Sequence, residues 1–309
     1  MKKLLVIIGP TGTGKTDLAL ELAKKFGGEI VSADSRQIYI GMDIGTGKLS
    51  QNEKIEKHKG YWIVDEIPIH LYDVITPSKT FSVAEYQQIA YRAINEIHKK
   101  NKLPILVGGT GLYIRAVVEG LKIPKVAPDA NLRKRLEAYP LPKLITELER
   151  SDPQTAARVD KANPRRVIRA LEVFYKTGQS MSQLQGKYKT VFNHLKIGLS
   201  SDRAHLYSRV DDRVDSWVKN GFIEEVKTLL DKGYQDSTAL TSLGYRQITM
   251  YLQGKITLPE AIQRIKFEHH AYIRAQLTWF KKESVVTWFD INEKDFTQKI
   301  FKTINSWVS

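Results

Sequence analysis

Residues Gly9 to Thr16 read Gly-Pro-Thr-Gly-Thr-Gly-Lys-Thr, a complete match to the phosphate-binding pattern G-x-x-x-x-G-K-[ST]. The apolar run Leu4–Ile8 precedes this loop, and Asp17-Leu-Ala-Leu-Glu-Leu-Ala-Lys-Lys follows it. Strand, glycine loop and helix form the context in which the pattern carries meaning. Gly9, Gly12 and Gly14 let backbone N–H groups turn inward around phosphate oxygens, and the helix N-terminus adds a partial positive charge. Lys15 supplies a full charge, and the Thr16 hydroxyl suits one ligand position on Mg²⁺. The candidate phosphate site is thus Gly9, Pro10, Thr11, Gly12, Thr13, Gly14, Lys15 and Thr16. The loop alone leaves the identity of the phosphate-bearing ligand open.

With 309 residues the chain is long enough for two compact units. Its 48 Lys and Arg against 34 Asp and Glu give a net charge of +14, which points to a polyanionic partner. There is no cysteine, so disulfides and thiolate zinc sites are excluded, as suits a reducing compartment. The longest apolar run near the N-terminus has five residues, too short for a signal-peptide core or a membrane span. The expectation is a soluble, cytoplasmic protein.

Strand and helix signals alternate through the first part of the chain. Leu4–Ile8, Glu29–Ala33 and Leu103–Val107 read as buried strands. Thr16–Phe26 reads as a helix closed by Gly27-Gly28, and another opens at Ser82, whose capping box is completed by Glu85. Such alternation implies an α/β fold, a parallel sheet flanked by helices, with ligands at the carboxyl ends of the strands. Three strand ends carry chemistry: the glycine loop, Asp34 and Thr110.

From residue 122 to 194 the character changes. Prolines punctuate the start, helical patterns follow, and 15 basic against 7 acidic residues contribute +8 of the net charge. After the Asn163 cap and Pro164, Val167, Ala170, Leu171 and Phe174 share one helix face, and Arg165, Arg166 and Arg169 lie opposite. That basic stripe suits a phosphate backbone. Helical patterning resumes over His205–Lys219, with Arg209 and Arg213 four residues apart, and Thr257 with Glu260 form a further capping box. A last strand, Val285–Asp290, and a terminal helix complete the chain. The simplest architecture is a P-loop core of residues 1–121 and 195–309 interrupted by a basic helical insertion domain, 122–194.

No apolar run after the third strand ends in a second Mg²⁺ carboxylate. The acidic group lies at the end of the second strand, in Ser32-Ala-Asp-Ser-Arg-Gln-Ile-Tyr39. Asp34 there suits a general base, a metal ligand or an acceptor for a substrate hydroxyl, and spacing does not choose among them.

Asp34-Ser-Arg-Gln-Ile-Tyr39, Gly41-Met-Asp-Ile-Gly-Thr46, Val107-Gly-Gly-Thr-Gly-Leu-Tyr113, Asn163-Pro-Arg-Arg-Val-Ile-Arg-Ala-Leu-Glu172 and Gly244-Tyr-Arg-Gln247 follow the loop in order. This series, nearly the length of the chain, resembles the tRNA dimethylallyltransferases. The resemblance implies that the loop holds a diphosphate rather than ATP. It implies a Mg²⁺-dependent transfer of a dimethylallyl group from dimethylallyl diphosphate to N6 of adenosine 37 in the tRNA anticodon stem-loop. It assigns Asp34 as base, Thr110 beside the reacting atoms, and Arg213, with Arg209, to the diphosphate. Asp34, Ser35, Arg36 and Gln37 would meet an extruded base, and Arg165, Arg166, Arg169 and Arg246 would contact tRNA. The working unit is taken to be a monomer.

Where relatives carry a more basic run this chain has Glu268-His-His-Ala-Tyr-Ile-Arg-Ala-Gln276, with His269 and Ala275 in place of cations. His269-His270 is no metal pair, because adjacent helical side chains point about 100° apart. The zinc finger that eukaryotic relatives append has no counterpart in a chain without cysteine. Rival expectations are an ATP-dependent small-molecule kinase, an enzyme prenylating free adenine nucleotides, and a non-catalytic RNA-binding module.

Overall fold

A computed structural model describes residues 2–48, 54–188 and 192–309. In chain order the elements begin with β1 (Lys2–Ile8), α1 (Lys15–Phe26), β2 (Gly28–Ser32), β3 (Ile55–His58), β4 (Tyr61–Val64) and β5 (Ile67–His70). Next come α2 (Val83–Lys99), β6 (Leu103–Gly108), α3 (Gly111–Val118), β7 (Leu121–Lys122), α4 (Ala130–Glu137) and α5 (Leu141–Ser151). They are followed by α6 (Pro153–Arg158), α7 (Pro164–Thr177), α8 (Met181–Leu184), β8 (Gly186–Lys187), β9 (Phe192–Ser200) and α9 (Arg203–Lys219). The chain ends with α10 (Phe222–Asp231), α11 (Tyr245–Leu252), α12 (Leu258–Phe280), β10 (Thr287–Asp290) and α13 (Phe296–Val308). Two compact units emerge, Met1–Ile114 with Val191–Ser309, and Arg115–Thr190.

The first unit is built on an eight-stranded sheet of order β10-β9-β1-β6-β2-β5-β4-β3. Strands β10 through β5 run parallel, with β1 registered against both β6 (Leu5 with Ile105) and β9 (Leu5 with Leu195). Every residue of β1 from Leu4 onward, and all of β2, is buried, as expected for a parallel sheet covered on both faces. The helices that cover it obey their end signals. Ser82 and Glu85 form the expected reciprocal capping box on α2. On α12 only half of the expected box forms: Thr257 accepts the Glu260 N–H, but the Glu260 carboxylate pairs with Arg264.

The sheet is wider than the sequence suggests, because β3, β4 and β5 form an antiparallel meander at its edge. Its β4–β5 turn is made by Asp65 and Glu66 at φ 46° and 68°, the left-handed pair of a two-residue hairpin without the usual glycine. The final strand is shorter than expected. Val285 sits at φ 56° in the turn before it, and pairing starts at Thr287.

A second apolar cluster in the same unit joins Ile38, Tyr39 and Met42 to Leu206, Val210, Phe222, Tyr245 and Ile273. It fixes α9–α12 beside the carboxyl ends of the strands.

The Arg115–Thr190 unit has its own core, centred on Leu144, Leu148, Val167 and Leu171. Asn163 caps α7 by accepting the Arg166 N–H, as its sequence predicts. On α7 itself the buried carboxylate of Glu172 receives a two-pronged Arg133, Arg169 and the Asp129 N–H. Burial opposes its ionisation, yet these donors hold its pKa down at about 2.

Candidate active site

A cavity of about 1280 Å³ opens at the carboxyl ends of β1, β2 and β6, lined by the glycine loop, the Asp34 turn and α9, α11 and α12. This is where an open parallel sheet places its ligands.

The loop forms one wall. Gly14 takes φ 76° to start α1, a left-handed position that costs any other residue strain. No acceptor among the described residues takes the N–H groups of Gly12 to Thr16. The Thr13 hydroxyl and the Lys15 ammonium both donate to the Pro10 carbonyl, at 2.9 and 2.8 Å. Burial, then the neighbouring Arg213, push Lys15 down to about 7, with Asp34 opposing. Arg213 also lines the cavity. Burial and Arg209 lower its pKa, while Asp17 opposes. The Arg209 guanidinium lies 3.8 Å from where a side chain on Gly14 would begin. Neither arginine has a hydrogen-bond or salt-bridge partner among the described residues. Arg213, desolvated and without a paired carboxylate, is costly alone and suited to a polyanion, while Arg209 is exposed beside it.

The opposite wall is the turn after β2. Asp34 Oδ1 accepts the Arg36 N–H at 2.8 Å, so this carboxylate does cap its own turn. No partner among the described residues takes its other oxygen. Thr110 holds the turn from β6: its hydroxyl accepts the Ser35 N–H at 3.1 Å, and its own N–H reaches the Ala33 carbonyl. Gln37 lines the cavity, but its carboxamide is occupied at both ends, by the Ser32 hydroxyl and the Thr46 carbonyl. The Arg36 guanidinium donates to the Thr238 carbonyl at 3.4 Å.

The remaining motifs frame the cavity. Glu225 on α10 accepts the N–H groups of Asp43, Ile44 and Gly45 and, at 2.6 Å, the Tyr245 hydroxyl. Burial raises its pKa against these donors. The segment 41–46 and the Gly-Tyr-Arg-Gln motif are therefore two sides of one brace. Gln247 turns back to the Gly244 N–H, and Arg246 at the cavity edge pairs with Glu268.

Sequence reasoning had no signal for Glu225 or Gln276, whose backbone partners are far away in the chain. The two histidines on α12 diverge as expected. His269 is buried, donates from Nδ1 to the Ile265 carbonyl at 2.9 Å and is kept neutral by burial. His270 stacks on Tyr207 and meets Asp211 at 2.8 Å.

In the Arg115–Thr190 unit, Arg165 and Arg166 are exposed. Arg169 does not share their stripe. Its guanidinium is spent on Glu172 and on the Val126 carbonyl at 2.8 Å, so its placement among free phosphate-binding cations is corrected.

Among the described residues no three His, Asp or Glu side chains cluster to hold a metal. Thr16 lines the cavity beside Lys15, and a single hydroxyl of this kind fits Mg²⁺ carried mainly by phosphate oxygens and water.

Comparisons with known proteins place the chain among characterised relatives. The family model for IPP transferases matches residues 37–283. A tRNA dimethylallyltransferase of Thermomicrobium roseum is 45% identical over 97% of this chain and 89% of its own length. One from Halalkalibacterium halodurans is 41% identical over 98% and 96%. The full-length tRNA isopentenylpyrophosphate transferase of Bacillus halodurans superposes with a TM-score of 0.72 at 39% identity, covering 100% of this chain and 96% of that one. A eukaryotic dimethylallyltransferase acting on tRNA gives 0.81 at 26% identity, over 100% and 80%.

Proposed function

The chain belongs to the IPP transferase family, and we propose that it transfers a dimethylallyl group from dimethylallyl diphosphate to N6 of adenosine 37 in tRNA. The observation that carries this reading is a division of charge within one cavity. Lys15 and Arg213 stand without carboxylate partners on the phosphate side, and Asp34 keeps a free oxygen on the other.

In the transfer, the N6 lone pair forms a bond to C1 of the allylic chain as the C1–O bond breaks, and that electron pair leaves on diphosphate. The N6 proton passes to the free oxygen of Asp34, removing the positive charge that develops on nitrogen. The loop N–H groups, Lys15, Arg213 and Arg209 take up the growing charge of the leaving group. Thr16 would hold Mg²⁺, which when bound neutralises diphosphate charge. Thr110 acts by holding the Ser35 end of the Asp34 turn in place. The base must leave its stack to reach this cavity. The working unit is proposed to be a monomer. No helix among the described residues is long and apolar enough to cross a membrane.

Incubation with labelled dimethylallyl diphosphate, Mg²⁺ and unmodified tRNA should place label in tRNA, with no ATP hydrolysis in parallel. ATP turnover without labelled tRNA would return the chain to the kinases. The exposed arginines give a second expectation. Arg165→Ala with Arg166→Ala should weaken tRNA binding and reduce the slope of log affinity against log salt by about one to two. Thermal unfolding should be unchanged. An unchanged slope would remove both residues from the tRNA contact.

A further inference from the structure

Gln276 on α12 is 4% exposed and bridges two loops that do not otherwise touch by hydrogen bonding among the described residues. Its Oε1 accepts the Thr11 N–H at 2.8 Å, and its Nε2 donates to the Gly109 carbonyl at 3.1 Å. Thr11 belongs to the phosphate loop after β1. Gly109 follows β6, next to the Thr110 that fixes the Asp34 turn. Strand pairing between β1 and β6 ends at Ile8 and Gly108, so beyond that point the two loops are free to drift apart.

We infer that Gln276 is a positioning residue, a strut that fixes the distance between the phosphate loop and the turn carrying the base. The inference rests on the transferase reading of the cavity. Only a carboxamide does this work, because the site needs an acceptor and a donor on one planar group. A carboxylate accepts from Thr11 but cannot donate to Gly109, and it sets a negative charge beside the phosphates. The strut also dictates its neighbour. A Cβ on Gly109 would lie 2.5 Å from Nε2, so the strut fits only over glycine. It takes the Thr11 N–H and leaves those of Gly12 to Thr16 for ligand, so its loss spares most phosphate contacts. What its loss disturbs is alignment, and a displacement of about 1 Å between reacting groups costs on the order of 100-fold in rate.

The test compares wild type with Gln276→Met, which keeps the shape and removes the hydrogen bonds to Thr11 and Gly109 together with that to the neighbouring Tyr272. We expect kcat for tRNA prenylation to fall about 10- to 100-fold. KM for dimethylallyl diphosphate, and the calorimetric affinity for inorganic diphosphate with Mg²⁺, should stay within about threefold. Loss of folded protein alone would also lower apparent kcat at unchanged KM, so kcat is expressed per active site, counted from the calorimetric stoichiometry of diphosphate binding. Gly109→Ala, whose methyl group meets the strut, should lower kcat in the same way. The pair Gly109→Ala with Gln276→Ala should be no slower than Gln276→Ala alone, because the clash disappears with the carboxamide. A Gln276→Met enzyme with kcat within twofold of wild type overturns the inference, as does a loss of diphosphate affinity equal to the loss of kcat. A wild-type enzyme that labels no tRNA overturns the transferase reading and this inference with it.

Discussion

Replacement of Asp34 by Asn is expected to lower kcat for prenyl transfer about 1000-fold while leaving tRNA affinity and thermal stability near wild type. The choice of Asn separates the two jobs this residue holds. Asp34 Oδ1 accepts the Arg36 N–H and thereby shapes the turn after β2, a task that an asparagine oxygen performs as well. The other oxygen is free to take the proton of the attacking amine, a task that an amide cannot perform. Removal of a general base typically costs about 10²- to 10⁴-fold, and adenine N6 belongs well inside that range because its lone pair is delocalised into the ring. Single-turnover kinetics with labelled dimethylallyl diphosphate measure the step directly. A variant that retains a tenth or more of wild-type kcat would leave Asp34 as a turn cap and send the search for a base elsewhere.

The parts of this molecule that were legible in the sequence are those in which a short segment determines its own geometry. The loop Gly9–Thr16 announces β1, a left-handed Gly14 and α1 because each glycine answers to a local backbone demand. Ser82 with Glu85, and Asn163 with Pro164, announce helix starts for the same reason. The meander of β3 to β5 was not legible. Its strands have four residues each, Pro68 interrupts the third, and the Asp65-Glu66 turn carries none of the glycine or asparagine that marks such hairpins. In these strands the surrounding sheet, not local preference, decides the conformation.

The site divides along the same line. The phosphate loop, Asp34 and the arginines of α9 stand out by type and spacing. Gln276 and Glu225 brace backbone groups more than 150 residues away, Thr11 and Gly109 for the first and Asp43, Ile44 and Gly45 for the second. A polar residue on an amphipathic helix looks the same in sequence whether it braces a loop or meets solvent. Arg169 shows the opposite error. Helical periodicity sets it with Arg165 and Arg166, yet Glu172, one turn further on, is buried beneath it and draws its guanidinium inward. Charge patterning reports which face a cation leaves from. It does not report where a long side chain ends.

Lys15→Met is expected to reduce kcat/KM for dimethylallyl diphosphate by about 1000-fold, since it removes a full charge from a site whose main task is to hold a departing diphosphate. The wild-type lysine adds a pH dependence that the variant should lack. Burial and Arg213 hold Lys15 at about 7 in the free enzyme, so at pH 8 most of it is neutral. Phosphate oxygens arriving within contact favour the ammonium and raise that pKa, so above pH 7 each binding event draws a proton from solution. Affinity is therefore greatest below pH 7 and falls as pH rises beyond it, by up to about tenfold per unit while the bound lysine stays charged. Calorimetry at pH 8 in buffers of different ionisation heat should show uptake approaching one proton per inorganic diphosphate bound with Mg²⁺, and Lys15→Met should abolish it. Affinity that is flat from pH 7 to 9, with no proton uptake, would mean that Lys15 is already charged in the free enzyme. The Pro10 carbonyl that it holds at 2.8 Å would then be stabilising the ammonium rather than parking a neutral amine.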